Sequence, residues 1–555
     1  MAYPVSTSNF KTIVSKNFDF VDKSLMIKDI VDQKSGAFLF TRPRRFGKTM
    51  NLNMLDAFFN CDCKDNDKLF SKLKISKVPD AMEHLGKYKV IHLDFSSIES
   101  IDKEMLLRKT SLMLSELFIK FNGLLNNPDM DESERKYFNE IKNGTMNEAL
   151  MHRAITLLCK WIKTTEDMEV VILIDEYDKP AHKAYLSKFY DEFFDFFTPF
   201  MEATLKTNQD YRFAIVTGVS RISKQTLFSG LNNLMEFDIF QTRYDESFGF
   251  TESEIKELLS KADIPIEEME KIKAYYDGYR FGKEDVYNPF SVMRYLSNYV
   301  DGNTEPQSYW VQSGDVSLIT DTLSKTDPEF RDRIISLGVP GNTMTCEINP
   351  RLSVRHLSST NENQLEDATI TLMVTSGYLK AVPVDNGIYE VSIPNTEVFD
   401  AFKTIVAYMK IVRSATASKF MEYIYNKDGR ATTELNRILD GQSPRDHYDE
   451  NTHKTFMSIL FGYSGFRYQT ELGSGNGFAD LYIKATNKHP GILMELKYSD
   501  KKCDLEKLAE KALEQIDDRD YSRNIDGPHI KVGIAFHKHT AKIVFGKATI
   551  ASESV

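Results

Sequence analysis

Residues 36–50 read Gly-Ala-Phe-Leu-Phe-Thr-Arg-Pro-Arg-Arg-Phe-Gly-Lys-Thr-Met. The apolar start of this stretch predicts a buried strand over Ala37–Arg42. It runs into a turn ending Gly47-Lys48-Thr49, and Asn51–Phe59 continues with helical spacing. Strand, loop, Gly-Lys-Thr and helix is the layout of a phosphate-binding loop. Arg45, Phe46, Gly47, Lys48 and Thr49 are therefore the expected nucleotide-binding set. Backbone N–H groups at the helix start hold phosphate oxygens, Lys48 reaches the outer phosphates, and the Thr49 hydroxyl ligates Mg²⁺. The usual pattern has a glycine five residues before Gly47, where this chain has Arg42.

A second stretch completes the expected site. Val170–Ile174 is a run of five aliphatic residues, the pattern of a strand buried on both faces of a parallel sheet. Asp175 and Glu176 follow it, and ligands in open α/β sheets bind at the carboxyl ends of strands. Asp175 is expected to hold Mg²⁺, and Glu176 to orient or deprotonate the water that attacks the γ-phosphate. A third strand, Tyr211–Thr217, leads into Gly218-Val219-Ser220-Arg221. Thr217 or Ser220 is a candidate contact for the γ-phosphate or attacking water, and Arg221 a candidate charge sensor or arginine finger. For these last three, a solvated loop arginine and a capping serine are equally good readings.

Bulk properties set limits on the rest. The 555 residues allow two to four domains, and a hydrophobic fraction of 41% with 27% charged residues is ordinary for a globular chain. A net charge of −11 excludes a global basic field for nucleic acid, so any such contact needs a local patch. Five scattered cysteines fit a reducing compartment, and with no signal peptide at the N-terminus the expected location is the cytoplasm. No apolar run approaches the roughly 20 residues that span a bilayer, so no membrane partner is expected. Cys61 and Cys63 have no nearby Cys or His pair, which argues against a zinc site.

Along the chain, residues 1–245 alternate strand and helix signals, with further strands expected at Lys89–Asp94 and helices at Leu106–Leu117 and Asn147–Lys163, implying a doubly wound parallel sheet. Residues 246–440 read as a mostly helical lid or linker region. Thr251-Glu252-Ser253-Glu254 is a capping box, and Asn288-Pro289 supplies an N-cap and a first-turn proline. The turn-rich aromatic stretch Tyr275–Gly282 reads as packing against the core, with Arg280 as an alternative phosphate contact.

Residues 441–555 carry a different signature. Strands are expected at Phe466–Leu472, Gly477–Ala485 and Gly491–Tyr498. Side chains alternate along a strand, so Glu495 and Lys497 share one face while Ile492, Met494 and Leu496 share the other. A hairpin turning near Asn487–Pro490 would bring Asp480 beside Glu495. Two carboxylates and a lysine on one sheet face suit phosphodiester hydrolysis. Asp480 and Glu495 would ligate Mg²⁺ or Mn²⁺, and Lys497 would position the water or offset negative charge. Glu471 and Gln515 are candidate supporting groups. Glu-Leu-Lys alone reads by default as a surface ion pair on a strand; the glycine-rich turn Gly473–Gly477 before Asp480 and the helix after Lys497 favour the metal site.

Taken together, Phe20–Ser24, Thr41–Thr49, Leu173–Pro180, Thr217–Ser220, Tyr276–Tyr279 with Tyr287–Phe290, and Glu495–Lys497 with Ala512–Ile516 resemble a bacterial family that joins an AAA-ATPase-like domain to a C-terminal PD-(D/E)XK nuclease-superfamily domain. The resemblance implies a P-loop NTPase fold, a helical middle region and a restriction-endonuclease-like α/β domain. It implies ATP at Lys48 and Thr49, completed by Asp175 and Glu176, and a metal site at Asp480, Glu495 and Lys497. Arg42 then looks like a family trait. One departure is Phe478, which stands where the family usually has an arginine. Two functions follow as expectations: an ATPase coupled to a metal-dependent nuclease acting on DNA or RNA, or a nucleotide-switched module that binds nucleic acid or protein without cutting. A homo-oligomer is left open as a partner, since ring assembly, common among related ATPases, does not follow from Arg221 alone.

Overall fold

The computed structural model describes residues 3–33, 36–219, 234–310, 316–339, 341–348, 356–357, 359, 361–402, 414–439, 453–454, 456–457, 460–461, 468–474, 477–486, 489–523, 525 and 527–546. Two compact units emerge. The first gathers Met1–Tyr185, Phe189–Ser313 and Val339–Asp400; the second gathers Leu186–Lys188, Gly314–Gly338 and Ala401–Val555.

The first unit is built on five parallel strands, β1 (Gly36–Thr41), β2 (Lys89–Asp94), β3 (Val170–Asp175), β4 (Phe213–Gly218) and β5 (Leu234–Phe237). They lie in the order β2-β3-β4-β1-β5. Every residue of β3 and β4 is buried, which explains their unbroken apolar runs: helices cover both faces of the sheet. β4 begins at Phe213, two residues later than its apolar pattern suggests, and β1 stops at Thr41. The register brings the strand ends level, pairing Asp94 with Asp175 and Thr41 with Gly218. The helices Lys103–Lys120, Glu148–Glu166 and Tyr190–Leu205 build the main core, and the phenylalanines of the last all turn inward.

C-terminal to this sheet the first unit is mostly helical. The capping box at Thr251 opens the helix Glu252–Lys261, and the Asn288 side chain caps the helix Pro289–Val300. Two small antiparallel sheets interrupt the helices: β6 (Tyr279–Phe281) with β7 (Glu284–Val286), and β8 (Met344–Glu347), β9 (Lys380–Asp385) and β10 (Ile388–Ser392). Tyr279 and Phe281 pack on Phe46, with ring centroids 4.8 and 5.1 Å away, so the aromatic stretch does pack against the loop.

The second unit holds a five-stranded mixed sheet ordered β11 (Tyr468–Ser474), β12 (Gly477–Ile483), β13 (Gly491–Tyr498), β14 (His529–His537) and β15 (Thr540–Phe545). β12 and β13 form the expected antiparallel pair, with Leu481 opposite Met494. β13 and β14 are parallel, and the helix Leu505–Asp518 makes the crossover that parallel strands require. Ile492, Met494 and Leu496 enter a core shared with Phe420, Leu435 and Phe461. Among the described residues, no helix is long and apolar enough to cross a membrane.

Gly533 marks the tightest helix–sheet approach in this unit. A Cβ there would stand 2.1 Å from the Ala509 carbonyl oxygen and 2.8 Å from the Leu513 nitrogen. Both are backbone atoms of one helix, so the helix must shift as a body. Gly533→Ala should destabilise the second unit by roughly 1–3 kcal/mol, as overpacking does. Urea unfolding should show an early transition while nucleotide binding at the first unit survives.

Candidate functional site

The loop after β1 is shaped by two left-handed residues, Arg45 at φ 68° and Gly47 at φ 80°. A Cβ on Gly47 would meet nothing within 4 Å, so glycine serves the backbone conformation there rather than space. The helix Lys48–Phe59 starts with no side-chain cap, which leaves its first N–H groups available to an anion. Lys48 folds back over the loop, donating to the carbonyls of Arg42 and Pro43 at 3.1 Å each.

Asp175 is the meeting point of three chain segments. Its Oδ2 accepts from the Thr49 hydroxyl at 2.7 Å, and its Oδ1 accepts from the Thr217 hydroxyl and from the Glu176 N–H. Thr217 therefore orients Asp175. Glu176 adopts φ 53°, a strained conformation for a non-glycine residue. Burial pushes its carboxyl above the usual range, and the neighbouring Asp178 and Asp175 add to this, while Lys48 opposes it. That direction makes Glu176 a stronger proton acceptor than an ordinary carboxylate. Asp178 accepts from the Val219 N–H at 3.0 Å and pins the end of β4 to the turn after β3. Ser220 and Arg221 lie outside the described residues.

These groups open onto a cleft of about 750 Å³ lined by residues 44–51, Asp94, Asp175 and Glu176. Sequence reasoning missed several of its other walls. Asp94 lines it beside Asp175, as the in-register end of β2 allows. Phe290, Arg294 and Tyr309 line it too. The guanidinium of Arg45 lies 4.1 Å from the Phe290 ring centroid, and Arg294 lies 5.4 Å from the same ring. Arg280 instead pairs with Asp285 at 2.9 Å. The side chain of Phe46 is core, packed against Tyr279 and Phe281. A cationic loop, free helix N–H groups and a Thr49–Asp175 pair make a donor set that fits a magnesium nucleotide.

Arg42 accounts for the missing glycine. It is fully buried and donates to the carbonyls of Thr41, Phe237 and Tyr244 at 2.9, 2.7 and 3.0 Å. Phe248 and Phe281 lie within 5.3 Å of its guanidinium, and burial lowers its value to about 10. The side chain points behind the loop and ties it to the end of β5 and to Tyr244 beyond it. Arg42→Gly, which restores the common residue, should cost about 3 kcal/mol through orphaned carbonyls and a cavity. A thermal melt in which this variant matched the parent would contradict the assignment.

Behind the cleft, Glu397 is fully buried. It accepts from the Ser291 hydroxyl and from the N–H groups of Tyr309 and Trp310 at 2.6 and 2.8 Å. It thereby ties Tyr309 to the start of the helix that carries Phe290 and Arg294. Burial raises its value from 4.5 to about 7. A native acid that keeps its proton longer than the unfolded one adds stability that is complete below pH 4.5 and is lost as the pH climbs through about 7. Relative to Glu397→Gln, the parent's melting temperature should therefore fall across that window; a difference independent of pH would refute this.

In the second unit, the β12–β13 pair brings Asp480 and Glu495 together. The Asp480 N–H donates to Glu495 Oε2 at 3.4 Å, and the Leu496 N–H to Asp480 Oδ2 at 2.7 Å. Lys497 Nζ stands 3.3 Å from Glu495 Oε1, which also accepts from the Gln515 amide. Burial, and then Asp480, push Glu495 up to about 7. Sequence reasoning did not foresee Lys454, whose ammonium lies 2.7 Å from Asp480 Oδ1. The side chains of Glu471 and Phe478 lie outside the described ones. Among the described residues no group of three or more His, Cys, Asp or Glu converges on one point. Two hard-oxygen side chains fit an ion such as Mg²⁺ that keeps several waters.

Comparison with known proteins agrees with this division. Residues 4–228 match the family described as "Predicted AAA-ATPase", and residues 448–546 match the "PD-(D/E)XK nuclease superfamily". An uncharacterised protein from the vnfD 5′ region of Azotobacter chroococcum mcd 1 is 26% identical over 324 residues, covering 58% of this chain. The match spans 56% of that relative's length. A solved structure, the Aeropyrum pernix ORC2 protein in ADPNP-ADP complexes, aligns over 69% of this chain and 92% of its own, at 10% identity and a TM-score of 0.28.

Proposed function

We propose that this chain, which joins an AAA-ATPase-like domain to a C-terminal PD-(D/E)XK nuclease superfamily domain, binds and hydrolyses ATP and couples it to metal-dependent cleavage of nucleic acid. The observation that carries the ATPase half is the Thr49–Asp175–Thr217 cluster beside Lys48 and Glu176. It joins the helix after β1 to the ends of β3 and β4, where a triphosphate is held in sheets of this kind. When bound, magnesium neutralises charge that develops on the phosphates. The helix N–H groups and Lys48 hold the phosphate oxygens, Thr49 and Asp175 fix the metal's position, and Glu176 takes the proton of the attacking water. Phe290 and Tyr309 line the same cleft and offer aromatic faces to a base.

For the nuclease half, support comes from Asp480, Glu495 and Lys497 on neighbouring strands. The two carboxylates would hold Mg²⁺ or Mn²⁺, which acidifies a water. Lys497 would orient that water or balance charge on the phosphate. A second reading, nucleic-acid binding without cleavage, is favoured by one observation: each of the two carboxylates already has a lysine against it.

Single substitutions separate the two halves. Lys48→Ala should lose nucleotide binding, whereas Glu176→Gln should bind ATP normally and hydrolyse it at least 100-fold more slowly. Asp480→Ala should leave ATP hydrolysis intact and abolish cleavage of a mixed DNA and RNA substrate set. Equal persistence of substrates with the parent and Asp480→Ala, across Mg²⁺ and Mn²⁺, would leave the binding-only reading.

A further inference from the structure

We propose that Lys454 is a tethered counter-ion of the carboxylate site, which a divalent cation must displace from Asp480 in order to bind and which then serves the nucleic-acid phosphate. The inference rests on the nuclease reading above. Each of the four carboxylate oxygens of Asp480 and Glu495 has a protein partner. Asp480 Oδ2 takes the Leu496 N–H and Glu495 Oε2 the Asp480 N–H, both from the strands themselves. Glu495 Oε1 takes Lys497 and Gln515. Asp480 Oδ1 has the Lys454 ammonium at 2.7 Å.

Lys454 reaches the site from outside the sheet. Among the described residues near it, Phe456, Met457, Leu460 and Phe461 are core, and the His453 ring lies 4.2 Å from that of Phe536. The Lys454 backbone is thus held while its four-carbon stem, with a side chain 23% exposed, keeps a path to solvent. An ammonium and a divalent cation at one oxygen repel each other, so the two compete for Oδ1. Metal entry therefore has to release the lysine. A released ammonium at the end of a flexible stem stays within a few ångströms and is a phosphate ligand.

A purely architectural ion pair predicts something different, and calorimetric titration of the full chain with Mn²⁺ separates the two. Asp480→Asn identifies the heat belonging to this site. Lys454→Met should bind Mn²⁺ at that site about tenfold more tightly than the parent, because the competing cation is gone. Lys454→Gln, whose amide still hydrogen-bonds Asp480 but carries no charge, should show the same gain and guards against a folding defect. In saturating Ca²⁺, both variants should bind a fluorescent duplex oligonucleotide several-fold more weakly than the parent. Unchanged or weaker Mn²⁺ affinity in both variants, with Asp480-dependent binding in the parent, would overturn the role of Lys454 alone. Absence of any Asp480-dependent Mn²⁺ binding in parent and variants alike would overturn it together with the nuclease reading.

Discussion

A carboxylate only 2% exposed must be answered by donors, and around Asp175 the donors come from three places in the chain. Thr49 arrives on the helix after β1, Thr217 on β4 and the Glu176 N–H from the turn that follows β3. None of these can move far without leaving a buried charge short of partners, which is costly in a low-dielectric interior. The strand order places β4 between β1 and β3, so the carboxylate bridges across its own neighbour. Lys48, Thr49, Asp175 and Glu176 all line one cleft at that convergence.

The second unit applies similar physics with a different balance. There the buried acids meet lysines rather than hydroxyls, and the strands contribute two backbone N–H groups. Hydroxyls leave the negative charge of Asp175 available to a cation. Ammonium groups cancel it. The same residue type therefore meets hydroxyls in one place and ammonium groups in the other.

Much of this was legible because strands buried on both faces announce themselves as unbroken apolar runs. β2, β3 and β13 fall where their patterns end, and the Thr251 and Asn288 caps are local events written within four residues. The pairing of Asp480 with Glu495 followed from a short hairpin and the alternation of side chains. What stayed hidden depends on contacts between segments far apart in sequence. Lys454 is 26 residues from Asp480, Ser291 is 106 from Glu397, and Phe237 is 195 from Arg42. No periodicity encodes such meetings. Nor does local pattern show that the helices at 316–336 and 414–439 group with the C-terminal sheet rather than with the first unit. Arg42 was visible as a departure, but the direction of its side chain was not.

That direction has a consequence for how the cleft meets its ligand. In a glycine-rich loop the backbone owes its shape largely to what it binds, and ordering it subtracts from the affinity. Here the guanidinium of Arg42 grips the Phe237 and Tyr244 carbonyls from the rear, and Phe46 is wedged between Tyr279 and Phe281. The loop is thus braced by its own side chains, whatever it goes on to bind.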